Sequence, residues 1–230
     1  MRNFHKPGRS SVYATNGMVA TSHPLAATEA LAILRDGGNA VDAAIAGAVL
    51  LGGCEPHMTG LGGDCFALIK PAGSENVIAV NGSGRAPKAT SPDTVRSQGV
   101  SQIEPGHPAS ITVPGAVDAF CRMSESHGRL GLDRVLDPAI QYFEQGIPVA
   151  PRVAMDFATL VDNLAPSGKA HYLSCGRPFA LGERFAMPGQ AEVLRRVVKN
   201  GRDAFYTGEV AEDMLTALNG IGAVHQLEDF

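Results

Sequence analysis

The sequence predicts an α+β fold, and three observations carry the prediction. Two alanine-rich helical stretches run through 22–53, two short strand-like runs flank a Pro-Ala-Gly-Ser turn at 71–74, and amphipathic helical periodicity dominates the later half. The 230 residues are 44% apolar, enough to bury the core of one sizeable domain or two small ones. No internal repeat, low-complexity tract or long linker divides them.

Taken in order, "SHPLAATEALAILRDGGNAVDAAIAGAVLLGG" (22–53) reads as two helices broken by glycine. Ser22 is placed to cap the first, Pro24 suits its first turn, and Leu25, Leu31 and Leu34 share a face before Gly37 and Gly38 end it. Asn39 caps the second helix. Its Ala43, Ala44, Ala46 and Ala48 let it lie close against a neighbour, so it should be nearly enclosed. Then "DCFALIK" (64–70) and "NVIAVNG" (76–82) form a β-hairpin. Further on, "TVPGAVDAFCRMSESHG" (112–128) is a strand end, turn and helix, and "LDRVLDPAIQYFEQG" (132–146) a helix that Pro138 should disturb. "QAEVLRRVVKNG" (190–201) and "TGEVAEDMLTALNG" (207–220) are amphipathic helices, each closed by Asn-Gly. The last residues, "GAVHQLEDF" (222–230), start another element, so Phe230 is expected not to be the natural end of the fold.

Composition and spacing exclude several chemistries. With 19 basic and 23 acidic side chains the net charge is -4, which offers no basic surface for nucleic acid or anionic lipid. The four cysteines, Cys54, Cys65, Cys121 and Cys175, contain no C-x-x-C pair and read as buried free thiols. The seven histidines show no metal-ligand spacing, so no metal site is expected. Neither the Gly60, Gly62, Gly63 run nor "GSGRAP" matches a phosphate-loop pattern, and these glycines read as turn formers. There is no G-x-S-x-G nucleophile elbow. The N-terminal "MRNFHKPGRSSVYATNG" lacks the apolar run of a secretory signal, and the apolar stretch at 43–54 is too short to span a membrane; a cytoplasmic location is expected.

One side chain invites a binding role. Arg85 lies in "VNGSGRAPKATSP" (80–92), just past a strand, with glycines before it and prolines after it. A guanidinium suits planar, two-pronged recognition of a carboxylate. Ser83, two residues earlier, falls on the same side of an extended backbone and can add a hydroxyl to the same group.

Longer stretches resemble a known family. "GMVATSHPLAATEALAILRDGGNAVDAAIAGAVLLGGCEPHMTGLGGDCFALI" (17–69), "VPGAVDAF" (113–120), "LDPAIQYFEQGIPV" (136–149), "DAFYTGEVAEDM" (203–214) and "GAVHQLEDF" (222–230) are similar to the N-terminal region of γ-glutamyltranspeptidases. The resemblance implies an N-terminal nucleophile hydrolase: a four-layer αββα sandwich made as one precursor that cuts itself into two subunits. Residues 1–230 would be a single-domain portion of the large subunit. The nucleophilic threonine opens the small subunit in this family, so no catalytic residue is expected in this chain, and no metal or organic cofactor is required.

Family members hold the substrate's α-carboxylate with an arginine in a motif like D-F-R-E-x-A-P. Aligned on Ala86-Pro87, this sequence has Asn81 at the acidic position, Ser83 at the arginine position and Arg85 two residues later. A two-residue step along an extended chain is roughly 6.6 Å, so the anchor suits a substrate of different length. The expected function is therefore autoprocessed amidohydrolysis of a short acid amide, oxamate-like or glutaryl-like, with Arg85 and Ser83 binding substrate. True γ-glutamyl transfer or glutathione hydrolysis is the alternative, and a non-catalytic module retaining the fold is a third. The expected partners are a small subunit from the same precursor and, beyond it, a second heterodimer.

Overall fold

The computed structural model describes residues 11–104, 106–161 and 164–230, and the basic start of the N-terminal segment, 1–10, lies outside them. The two alanine-rich stretches form helices α1 (Pro24–Arg35) and α2 (Ala40–Cys54), packed side by side. Asn39 caps α2 as expected: its Oδ1 accepts from the Val41 and Asp42 N–H groups at 2.9 and 3.1 Å, and Asp42 accepts from the Asn39 N–H at 2.9 Å. Gly37 supplies the left-handed turn, at φ 94°, between the helices.

Two local expectations at α1 are corrected. His23, not Ser22, is the N-cap, its Nδ1 accepting from the Leu25 N–H at 3.3 Å, while the Ser22 hydroxyl donates to Glu55 at 2.6 Å. The buried face is Ala26, Ala30 and Ile33, with Leu25, Leu31 and Leu34 only half-buried. Small side chains win the central line because they let α1 approach α2 closely, and the leucines seal its edges.

Helix α2 is the centre of the molecule. Val41, Ala43, Ile45, Ala46, Val49 and Leu50 are all buried, and Ala44 alone of the expected alanines is exposed. Asp42 is fully buried and makes a long-range clamp: besides its own capping box it accepts from the Arg129 N–H at 3.0 Å and the Leu130 N–H at 3.3 Å. The Asn39 amide donates to the His127 carbonyl at 2.6 Å. Both contacts tie the start of α2 to the turn after the helix Ala116–His127.

Four further helices follow the hairpin: α3 (Pro92–Ser97), α4 (Ala116–His127), α5 (Leu132–Gln145) and α6 (Pro151–Leu160). Pro138 does not break α5. It removes the N–H that would reach the previous turn, yet buried Val135, Leu136, Ala139, Ile140 and Phe143 hold both halves of the helix on the core. After α7 (Pro166–Tyr172), α8 (Pro188–Asn200) packs on α5, and a short α9 (Asp203–Tyr206) leads to α10 (Gly208–Gly220). Helix α8 closes at Asn200-Gly201 as expected. In α10 the helix runs through Asn219-Gly220 and the left-handed turn comes at Gly222, two residues later than the sequence indicated.

Strands β1 (Cys65–Ile69) and β2 (Ile78–Gly82) form the expected antiparallel hairpin, with Cys65 opposite Gly82 and Ile69 opposite Ile78. A second pair, β3 (Ile147–Pro148) with β4 (Arg184–Phe185), anchors a smaller apolar cluster of Val149, Val153, Phe157 and Phe185. The cysteines are all free, but only Cys54 is fully buried; there burial, with the Glu55 charge beside it, pushes the thiol up to about 12. Cys175 departs furthest from expectation. It is exposed at φ 52° in the tight turn joining Ser174 to Arg177.

Candidate functional site

The hairpin presents two unlike faces. Along β1 and β2 half-buried and exposed residues alternate, the inner ones leaning on the core and the outer ones facing solvent. The outer face is apolar, with Phe66 69% and Leu68 79% exposed, and it lines a shallow groove of about 330 Å³ that reaches Asn81. The alternation continues past the strand: Asn81, Ser83 and Arg85 are exposed, Gly82 and Gly84 half-buried. Ser83 and Arg85 are therefore both exposed just beyond β2, whose Asn81 pairs with Phe66 on the outer face.

What pins this segment is backbone packed on backbone. A Cβ added at Gly84 would stand 1.9 Å from the Val113 carbonyl oxygen, and one at Gly115 would stand 2.2 Å from the Gly82 carbonyl oxygen. Gly84 is thus required by close approach of residues 112–113 and Gly82 by that of Ala119 and the Cys65 carbonyl, not by turn geometry, which corrects the sequence reading of "GSG". The turn reading does hold at Gly60–Gly63, where the Gly63 N–H donates to the Gly60 carbonyl at 3.1 Å.

Hydrogen bonds complete the seam. The Arg85 carbonyl accepts from the Val113 N–H at 2.9 Å, and the Asp64 carboxylate accepts from the Gly84 N–H at 2.8 Å. The Gly63 carbonyl accepts from the Gly115 and Ala116 N–H groups at 3.1 and 3.0 Å, joining the hairpin to the start of α4. The Ser83 N–H donates to the Asn81 side chain at 3.0 Å. Among the described residues neither the Arg85 guanidinium nor the Ser83 hydroxyl has a side-chain partner.

Behind the seam a polar knot fixes α4. The Tyr206 hydroxyl donates to the Pro114 carbonyl at 2.8 Å and accepts from the Asp118 N–H at 3.0 Å. Burial pushes this phenol up to about 12, so it remains a donor. The Arg202 guanidinium lies 4.3 Å above the Tyr206 ring and pairs with Asp118, which also meets Arg122 at 2.9 Å. Burial acts to raise the Asp118 carboxyl, but the two arginines outweigh it and hold the group below its ordinary value.

The sequence singled out Arg85 and Ser83 and missed the groups that hold them: Asp64, Gly115 and Tyr206. A signal for the first two was present. Glycines two apart just beyond a strand mark a face on which another backbone can lie. Nothing local signalled Tyr206, whose partners are about ninety residues away.

Comparison with known proteins agrees across nearly the whole chain. The profile of the Gamma-glutamyltranspeptidase family matches residues 26–230. A Bacillus subtilis protein named glutathione hydrolase-like YwrD proenzyme is 36% identical over 222 residues, covering 96% of this chain and 42% of that protein. The oxamate amidohydrolase proenzyme of Klebsiella pneumoniae is 36% identical over 227 residues, covering 96% of this chain and 43% of its own length. The crystal structure of cephalosporin acylase from Bacillus halodurans superimposes with a TM-score of 0.90 at 37% identity, over 99% of this chain and 44% of that one. The chain thus spans less than half the length of these relatives. The α+β class and the N-terminal nucleophile hydrolase fold expected above are borne out. No helix of the described residues is long and apolar enough to cross a membrane. By profile, sequence and fold together, the chain belongs to the γ-glutamyltranspeptidase family.

Proposed function

We propose that this chain is the N-terminal, large-subunit region of an autoprocessed threonine amidohydrolase, and that the whole protein cleaves the amide bond of a small carboxylated substrate. The observation that carries the reading is a guanidinium held outward on a pinned arm, without an ion-pair partner among the described residues, beside an exposed serine hydroxyl. Arg85 grips the substrate carboxylate through two parallel hydrogen bonds and Ser83 adds a third. The similarity to an oxamate amidohydrolase proenzyme supports a short acid amide as substrate.

Catalysis in this reading lies outside residues 1–230. A threonine hydroxyl freed by self-cleavage attacks the amide carbonyl, its own α-amino group takes the proton, the amine leaves, and water releases the acid from the acyl-enzyme. Such chemistry needs a base, an oxyanion hole and positioning, and no metal or organic cofactor. The proenzyme names of the relatives support a small subunit cut from the same precursor as the partner. The apolar outer face of the hairpin, with Phe66 and Leu68, is a surface that such a partner would cover. Association of two heterodimers and a cytoplasmic location belong to the same reading.

The test uses the full-length protein on oxamate, glutaramate and a γ-glutamyl anilide. Turnover of the short acids is expected to exceed that of the anilide; strong turnover of the anilide alone would favour γ-glutamyl transfer or hydrolysis instead, a reading supported by the glutathione hydrolase-like relative. Arg85→Ala should cost roughly 2–5 kcal/mol of substrate binding, seen in KM, and Arg85→Lys should recover only part. Normal kcat/KM in Arg85→Ala would remove the arginine from the site. A processed protein with no amidase activity on any of the three would favour the non-catalytic reading.

A further inference from the structure

The geometry points to Asp64 as the positioning residue that sets the reach of Arg85, and hence the protein's selectivity for carboxylated amides. This rests on the proposal that Arg85 binds the substrate carboxylate.

Asp64 stands where the hairpin, the arm and α4 meet. Its neighbour Gly63 takes two N–H groups from the start of α4, and its own carboxylate takes the Gly84 N–H at 2.8 Å. On the far side of Arg85, the arginine's own carbonyl takes the Val113 N–H at 2.9 Å. The chain is therefore held on both sides of Arg85, at the 85–86 peptide by backbone and at the 83–84 peptide by a carboxylate side chain, with only the Gly84 Cα and the 84–85 peptide between the second anchor and the Arg85 Cα. An ionised acceptor makes the stronger and shorter kind of hydrogen bond.

Glycine makes that clamp necessary. Gly84 cannot carry a side chain because Thr112 and the Val113 carbonyl occupy the space, Gly82 is closed by Ala119 and the Cys65 carbonyl, and glycine is the residue freest to leave an extended conformation. Without the Asp64 contact the 83–84 peptide is held on one side only. Asp64 is itself exposed and makes no ion pair among the described residues, so surface charge pairing does not account for its place. Its acceptor atom is used on the arm, one residue before the guanidinium.

The experiment measures KM and kcat of the full-length, processed protein on oxamate and glutaramate beside their uncharged counterparts, oxamide and glutaramide. In Asp64→Ala the KM for the charged amides should rise roughly tenfold with kcat little changed, while the uncharged amides are turned over as by wild type. Asp64→Asn keeps an acceptor without the charge and should lose about threefold. In an Arg85→Ala background the Asp64 substitution should have no further effect on the charged substrates, because the group it positions is gone.

Equal losses on charged and uncharged amides would mean that Asp64 is only structural, and unchanged selectivity in Asp64→Ala would overturn the inference. If the alanine variant fails to mature, the asparagine variant decides, and wild-type selectivity there overturns it too. The Arg85→Ala control separates the two levels. If it leaves the preference for charged amides intact, the arginine reading itself fails; if it abolishes the preference while Asp64→Ala does not, only the role of Asp64 fails.

Discussion

Two aspartates, Asp42 and Asp64, use the same chemistry in opposite surroundings. Each accepts backbone N–H groups from a distant part of the chain. Asp42 is fully buried at the start of α2 and serves two segments through three N–H groups: its own cap, and the adjacent Arg129 and Leu130. Asp64 is exposed at the edge of the hairpin and serves a single N–H, that of Gly84. Around Asp42 small side chains draw helices together, and around Asp64 glycines draw bare backbone together. The first arrangement makes a core. The second holds an exposed cation, so the same type of contact is a matter of folding in one place and, under the proposed function, of recognition in the other.

The comparison can be broken most forcefully at Asp42. Asp42→Ala strands three part-buried N–H groups and leaves a void in the core, and should cost about 3–5 kcal/mol, read as a fall in the denaturation midpoint and in the yield of processed protein. Asp42→Asn should recover part of this. A stable Asp42→Ala protein would show that these donors find other partners, and the contrast with Asp64 would dissolve.

A smaller and more local effect is expected at the seam. Gly84→Ala puts a methyl group against the Val113 carbonyl oxygen, so the arm must lift from residues 112–115, at a cost of about 1–3 kcal/mol. The consequence for function should exceed that for stability. KM for charged amides should rise with Arg85 displaced, while uncharged amides are spared. A variant that loses stability and keeps its selectivity would place the arm in the scaffold rather than the site.

The mildest lever is acid. Burial holds the His23 and His225 imidazoles below the ordinary 6.5, against partial opposition from Glu55 and Asp229 respectively. His23 Nε2 is buried without a hydrogen-bond partner among the described residues. The unfolded chain binds these protons near pH 6.5 and the folded chain only at lower pH, so stability should be level above 6.5 and fall as pH drops below it. Denaturation midpoints between pH 7.5 and 5 check this. His23→Asn, which still caps α1, should flatten the slope. An unchanged slope in that variant would assign the acid sensitivity elsewhere.

How much of this was legible in the sequence follows the separation of the partners. Helices α1 and α2, the Asn39 cap and the hairpin rest on contacts within a few residues, and local pattern gave all of them. Ser22 and His23 differ by a single position, and periodicity cannot say which of two adjacent acceptors turns toward the helix. Asp42 reaches Arg129 and Gly115 meets Gly82, contacts between segments whose pairing no local rule reveals. At the site, Arg85 and Ser83 were legible as a cation and a hydroxyl on one side of an extended segment. The seam behind them showed only as two glycines two apart; which segments lie on them was not legible, because apart from the Asp64 carboxylate its contacts are made by backbone atoms that every residue possesses.

The alternation of residues 81–85 also turns the arm into a graduated ruler for protein engineering. Asn81, Ser83 and Arg85 are its exposed rungs, roughly 6.6 Å apart where the chain is extended, while the glycines between them are closed to substitution. A guanidinium transferred from 85 to 83 stays on the same face and touches neither glycine of the seam. If Arg85 anchors the substrate as proposed, that charge can be moved only in whole two-residue steps, and the substrate lengths this scaffold can be redesigned to prefer form a discrete series rather than a continuum.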